Sequence, residues 1–209
     1  FGHEACSYPF QSLDLNPGDA GVSVIVPGNV NDSAVYGASL PGAFNFYGTT
    51  YSNTSFVFTE DGYFYLDYFG NSSIRIKPFP AGFATSGSST SRVLGKSIDS
   101  NGDGTLDWWI IEWSDVTGGG FATPVTFQAI LELNTGSRPG RIKFNYPDLD
   151  SFAGTGPLQA GITRGTAPNQ LYLNGAFVRT GRAAQFDKPI NLRVTDVYLV
   201  DGAGARVDA

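Results

Sequence analysis

One stretch, residues 125–146, constrains the fold more than any other. In VTFQAILEL (125–133), Phe127, Ala129, Leu131 and Leu133 fall on one face, and Thr126, Gln128 and Glu132 on the other. In RIKFNY (141–146), Ile142, Phe144 and Tyr146 alternate with Arg141, Lys143 and Asn145. Between them stands NTGSRPG, a run of turn formers. Apolar residues recurring at every second position suit a pleated strand and no helix, so the stretch reads as a β-hairpin with one face on a core and one in water.

The same grammar recurs along the chain. SFVFT (55–59) and YFYLDY (63–68) flank Glu60-Asp61-Gly62, and Asp-Gly is a favoured tight-turn pair. SRVLGKSI (91–98) and DWWIIEW (107–113) flank the loop DSNGDGTLD; the second strand is apolar on both faces, which predicts a central strand covered on both sides. Further strands are expected at GVSVIV (21–26), LQAGIT (158–163), LYLNG (171–175) and NLRVTDVYLV (191–200), and AGFATSGSSTS (81–91) reads as a long exposed loop. No segment holds a helical period over three turns. The chain has 27 Gly, 16 Phe and 10 Tyr but no Met, a balance that favours strands and turns over helices. The expectation is an all-β protein, a β-sandwich of mainly antiparallel strands with Gly/Pro/Asn-rich loops. Residues 1–185 form the sandwich domain; 186–209 form a C-terminal strand or arm that either closes the same domain or pairs with another molecule.

Charge narrows function. A net charge of −6 without any basic run argues against nucleic acid and against a polybasic membrane surface. No apolar stretch reaches transmembrane length. The chain starts at Phe1, not Met, which reads as a processed N-terminus. Cys6 is the single cysteine and has no internal partner; it either links chains, carries a modification or is inert. Sequons stand at Asn31, Asn53 and Asn71 and matter only where glycosylation machinery is met.

Several segments together resemble the nidogen-like extracellular β-domains and their bacterial surface-protein relatives. They are FNFYGTTYSNTSFVFTEDGYFYLD, then WWIIEWSDV, VTFQAILEL, GRIKFNY and LQAGITRGTAPNQ, in that order. The resemblance covers about residues 40–181 and rests on order and spacing more than on any one motif. It implies a secreted, non-catalytic module of matrix, adhesion or cell-surface proteins, with no catalytic residues to carry over. This chain departs from the pattern in the acidic loop before the Glu-Trp strand, in the leader before residue 40 and in the tail after 185.

That acidic loop carries the clearest chemistry. Residues 99–107 fit D-x-N-x-D-G-x-x-D, the oxygen-rich first part of an EF-hand-type loop. Asp99, Asn101 and Asp103 would offer side-chain oxygens to Ca2+, Thr105 its carbonyl and Asp107 a direct or water-mediated oxygen. Ile110 occupies the position where an EF-hand places its bidentate Glu, and the loop joins strands, not helices. An Asx/Gly turn holding no ion is the competing reading. A bound calcium would be structural.

Other constellations are thin. His3 is the only histidine, and with Cys6 it lacks a supporting motif. Glu112, Asp115, Asp148 and Asp150 are available as a hydrolytic carboxylate pair, but nothing singles out two of them. Trp109 and Trp113 share a strand face and Trp108 takes the other, so a sugar-stacking row competes with core packing. The function expected is a non-catalytic extracellular structural or adhesive domain, calcium-stabilised. It would self-associate, or bind other surface or matrix proteins, by donating a terminal strand from FGHEACSYPFQSLDL or INLRVTDVYLV to an open sheet edge. The alternatives are a lectin-like carbohydrate-binding module and, third, a glycoside hydrolase.

Overall fold

Turn residues divide the chain into short strands. The structure, a computed structural model, describes residues 4–29, 36–52, 55–66, 74–85, 89–118, 121–149, 159–165, 170–187, 199–200 and 206–207. In chain order the strands are β1 (Glu4–Tyr8), β2 (Val22–Val26), β3 (Tyr36–Ser39), β4 (Phe44–Phe46), β5 (Thr49–Tyr51) and β6 (Ser55–Thr59). There follow β7 (Tyr63–Tyr65), β8 (Ile74–Lys77), β9 (Phe83–Ala84), β10 (Arg92–Ile98), β11 (Trp108–Gly118) and β12 (Val125–Glu132). The last are β13 (Ile142–Asp148), β14 (Gly161–Arg164), β15 (Gln170–Tyr172), β16 (Arg182–Asp187), β17 (Leu199–Val200) and β18 (Arg206–Val207).

They form two main antiparallel sheets, so the protein is all-β with a sandwich core. The larger runs β1-β16-β13-β12-β11-β10-β2, with β9 beside the end of β11; the smaller runs β15-β14-β8-β7-β6-β3. The expected hairpin at 125–146 forms, with Leu131 opposite Ile142 and Ala129 opposite Phe144. So does the hairpin at 55–65, with Phe58 opposite Phe64. Its turn needs Gly62: φ is +78°, and a Cβ there would stand 2.0 Å from the Phe79 carbonyl oxygen.

The inward faces of both sheets meet in one aromatic core. Trp109 stacks on Phe56 at 5.5 Å and meets Phe58 edge-on, while Trp113 stacks on Phe64 at 6.3 Å and on Phe127 at 5.2 Å. Trp113 Nε1 donates to the Thr59 carbonyl across the sandwich, which satisfies the one polar atom of that ring. β11 lies centrally and is covered on both sides, as its sequence predicts: Ile111 faces the main core, and Ile110 packs with Leu15, Leu94 and Ile130 in a second cluster on the outer face.

Three expectations need correction. The outward face of β12 and β13 is not wet: Gln128, Glu132, Lys143 and Asn145 are all buried. Residues 11–15 cross it as a strap, whose Leu13 and Gln11 carbonyls accept from Gln128 and Asn145, while Glu132 accepts from Ser137 and the Arg138 amide and Lys143 donates to the Tyr8 hydroxyl. Residues 81–91 are not simply an exposed loop, because Phe83, Thr85 and Ser91 are buried and β9 pairs with β11. β16 runs through to Asp187, and its Phe186 is buried against Phe144 at 4.8 Å. The strand expected at 171–175 ends at Tyr172 and gives way to a 3-10 turn, Gly175–Phe177, capped by the Asn174 side chain. Of the strand expected at 191–200, only Leu199–Val200 lies within the described residues, paired with Arg206–Val207. Asn31, Asn53 and Asn71 lie outside them, as does His3.

Candidate functional site

The acidic loop projects from the end of the β10–β11 hairpin and is exposed from Ser100 to Leu106. Its side chains are organised by the loop's own backbone. Asp99 accepts from the amides of Asn101, Gly102 and Gly104 at 3.3, 2.7 and 2.8 Å. Gly102 and Gly104 take positive φ, +77° and +88°, which lets successive N–H groups turn toward that carboxylate. Asn101 Oδ1 accepts from the Asp103 amide, and Asp103 accepts from the Thr105 amide and hydroxyl. Those bonds from Thr105, with one from Asn101, hold the Asp103 carboxyl below its ordinary range.

Asp107 differs from the rest. It is 1% exposed; Oδ2 accepts from the Ser100 amide and hydroxyl at 2.9 and 2.6 Å, and Oδ1 is buried without a hydrogen-bond partner among the described residues. Asp99, Asn101, Asp103 and Thr105 are thus brought together by local Asx-type turns, and Asp107 lies beneath them. Among the described residues no three His, Cys, Asp or Glu side chains gather into one metal-holding group.

The second polar assembly was hidden in the alternation pattern. Under the strap, Glu112 Oε2 accepts from Gln128 Nε2 at 2.6 Å and from the Leu15 amide at 3.2 Å. Gln128 Nε2 also donates to the Leu13 carbonyl at 2.9 Å. Asn145 Nδ2 donates to the Gln11 carbonyl and to Gln128 Oε1 at 3.1 and 3.2 Å. Burial lifts the Glu112 carboxyl to about 7, with Asp14 adding to the rise and the bonds from Gln128, Leu15 and Ser114 opposing it. Farther along the same face, the buried Lys143 ammonium sits 4.3 Å from the Tyr8 ring centre and 4.5 Å from that of Trp108.

The remaining sequence candidates disperse. Trp109 and Trp113 lie in the core and only Trp108 is on the outer face, so the three form no common platform. Glu112 is covered by the strap, Asp115 is exposed on a bulge of β11 at φ +52°, Asp148 is half-buried, and Asp150 lies outside the described residues. Cys6 is a free, exposed thiol on β1. No helix among the described residues is long and apolar enough to cross a membrane.

No family model, no curated protein and no solved structure matches the chain.

Proposed function

We propose that this chain is a secreted, non-catalytic structural or adhesive domain of the cell surface or matrix, which self-associates by exchanging a terminal strand. One observation carries the reading. The edge of the large sheet is completed by a strand far from its partner in sequence: β1 pairs antiparallel with β16 from Glu4 opposite Asp187 to Tyr8 opposite Ala183. Ala5, Cys6 and Ser7 are exposed, so this strand is held by its backbone ladder more than by buried side chains. An edge that accepts a strand from a distant part of its own chain can accept the same strand from a second copy with the same hydrogen bonds. The resemblance to nidogen-like domains supports a surface or matrix setting.

Calcium is part of the proposal. The donor set of Asp99, Asn101, Asp103, Thr105 and Asp107, with the buried Asp107 Oδ1 lacking a hydrogen-bond partner, suits a hard cation that would stiffen the β10–β11 end. A glycan-binding role is the second reading, favoured by a cationic groove on the outer face of the small sheet.

Light scattering on the purified chain, in calcium and then in excess chelator, tests the first reading. Masses above that of one chain, falling when calcium is removed, are expected. A single-chain mass at all concentrations, unchanged by chelator, would contradict both the exchange and the structural ion.

A further inference from the structure

The register of the large sheet lines up one row of residues across its outer face. Glu112 on β11 lies opposite Gln128 on β12, and Gln128 opposite Asn145 on β13. Asn145 lies opposite Ala183 on β16, and Ala183 opposite Tyr8 on β1. After Tyr8 the chain turns and retraces that row in the opposite sense. Asn145 Nδ2 donates to the Gln11 carbonyl, Gln128 Nε2 to the Leu13 carbonyl, and the Leu15 amide to Glu112 Oε2. Residues 4–15 are therefore one continuous unit. Its first part is the edge strand, and its second part covers the polar row.

Little apolar surface holds this unit down. Within residues 5–15 only Leu15 is buried; with the half-buried Leu13 it packs on Leu94, Ile110 and Ile130. Ala5, Cys6, Ser7, Gln11, Ser12 and Asp14 are exposed. A segment with few buried contacts opens at lower free energy than the core beneath it.

The bond at the end of the row is governed by a proton. Glu112 is 2% exposed, and no cation among the described residues forms an ion pair with it. From the strap it meets Asp14, a charge of the same sign. On β10, Arg92 and Lys96 flank its partner Leu94, opposite Ser114 and Ile110, and Arg92 is engaged by the Ser89 and Thr90 carbonyls. On β12 it faces the neutral Gln128, while Glu132 farther along is tied to Arg141. On β13, Lys143 bonds the Tyr8 hydroxyl and lies against the Tyr8 and Trp108 rings. With the strap closed, burial lifts the Glu112 carboxyl from 4.5 to about 7. With the strap lifted, the same carboxyl meets water and ionises as an ordinary glutamate.

We propose that residues 4–15 act as one latch, closed while Glu112 holds its proton and loosened by its ionisation, and that this opening governs when β1 passes between copies. The control of exchange rests on the strand-exchange reading; the latch does not. The closed form holds a proton that the open form releases, so opening is favoured as pH rises through 4.5 to 7 and levels off above. From pH 5 to pH 8 the open population should grow on the order of 50–100-fold.

The test follows amide hydrogen exchange of the intact chain by NMR at pH 5, 6, 7 and 8, as protection factors that divide out the intrinsic pH dependence. Light scattering of the same samples reports mass. The Leu15 amide and the protected amides of β1 should lose protection together, by tens of fold between pH 5 and 8, while those of Ala129 and Phe144 hold. Glu112→Gln should flatten the profile, and mass above one chain should appear faster at pH 8 than at pH 5. Protection at Leu15 and β1 that does not change with pH would overturn the latch, even where exchange is seen. Loss of protection at Leu15 with β1 unchanged would overturn the single unit. Coupled loss of protection with a single-chain mass at every pH would support the latch and overturn the exchange reading. The pH profile of the unsubstituted chain decides the matter even if the variant fails to fold.

Discussion

Replacing Glu112 with Gln should make the protein more stable at neutral and alkaline pH. Glu112 is 2% exposed and its carboxyl is lifted from an ordinary 4.5 to about 7, chiefly by burial. A raised carboxyl means that the folded state holds a proton the unfolded chain has released. Stability is therefore full below about pH 4.5, falls as pH rises through 4.5 to 7, and levels off above. At about 1.4 kcal/mol per pKa unit, the loss by pH 8 is at most about 3.5 kcal/mol. The neutral amide of Gln keeps an oxygen for the Leu15 amide and Gln128 Nε2, and its NH2 can donate to Ser114. Urea unfolding at pH 5, 6, 7 and 8 checks this, with fluorescence of the buried Trp109 and Trp113 as the probe. The variant should lose the downward slope between pH 5 and 7 and exceed the parent at pH 8 by roughly 1–3 kcal/mol. Parallel pH profiles, or a variant weaker than the parent at pH 8, would refute the reasoning that desolvation of Glu112 dominates beneath the strap.

Other perturbations follow from the packing. Leu15→Ala removes the strap's anchor in the outer cluster and should cost about 2–4 kcal/mol by urea unfolding. Trp113→Phe removes the Nε1 bond to the Thr59 carbonyl and the larger ring's packing inside the sandwich and should cost roughly 1–3 kcal/mol in the same assay. Gly62→Ala sets a Cβ against the Phe79 oxygen at positive φ; a loss of at least about 2 kcal/mol in thermal or urea unfolding is expected. Calcium should raise the melting temperature of the parent but not of Asp107→Asn, if the Asp107 carboxylate completes a calcium loop.

What the sequence revealed tracks where side chains alone decide the structure. The alternation of β12 and β13 and the Asp61-Gly62 turn were legible because burial and turn geometry leave a direct mark on residue type. β1 was not legible as a strand of this sheet: EACSY has no apolar alternation, and its place comes from backbone pairing with a segment nearly the whole chain away. Gln128 and Asn145 read as solvent-facing because they are polar, yet they are buried, since carbonyls of the strap supply partners no local pattern announces. The acidic loop was visible as a motif, but the separate burial of Asp107 depends on the two strands it joins. Arg75 and Lys77 share a face by simple alternation in IRIK. Their grouping with Gln159, Thr163, Gln170 and Tyr172 appears only once β8 and β14 pair.

The central claim, exchange of β1 between copies, is tested most directly by Gln185→Cys. Cys6 lies opposite Gln185 in the β1–β16 ladder, so the new thiol faces the native one. After refolding at high concentration and mild oxidation, a non-reducing denaturing gel reports which chains are joined. The account predicts disulfide-linked dimers and longer ladders that collapse to single chains on reduction and exceed any linked species the parent forms under the same oxidation. Single chains closed by an internal disulfide, at every concentration, would show that β1 stays on its own sheet and would contradict the account.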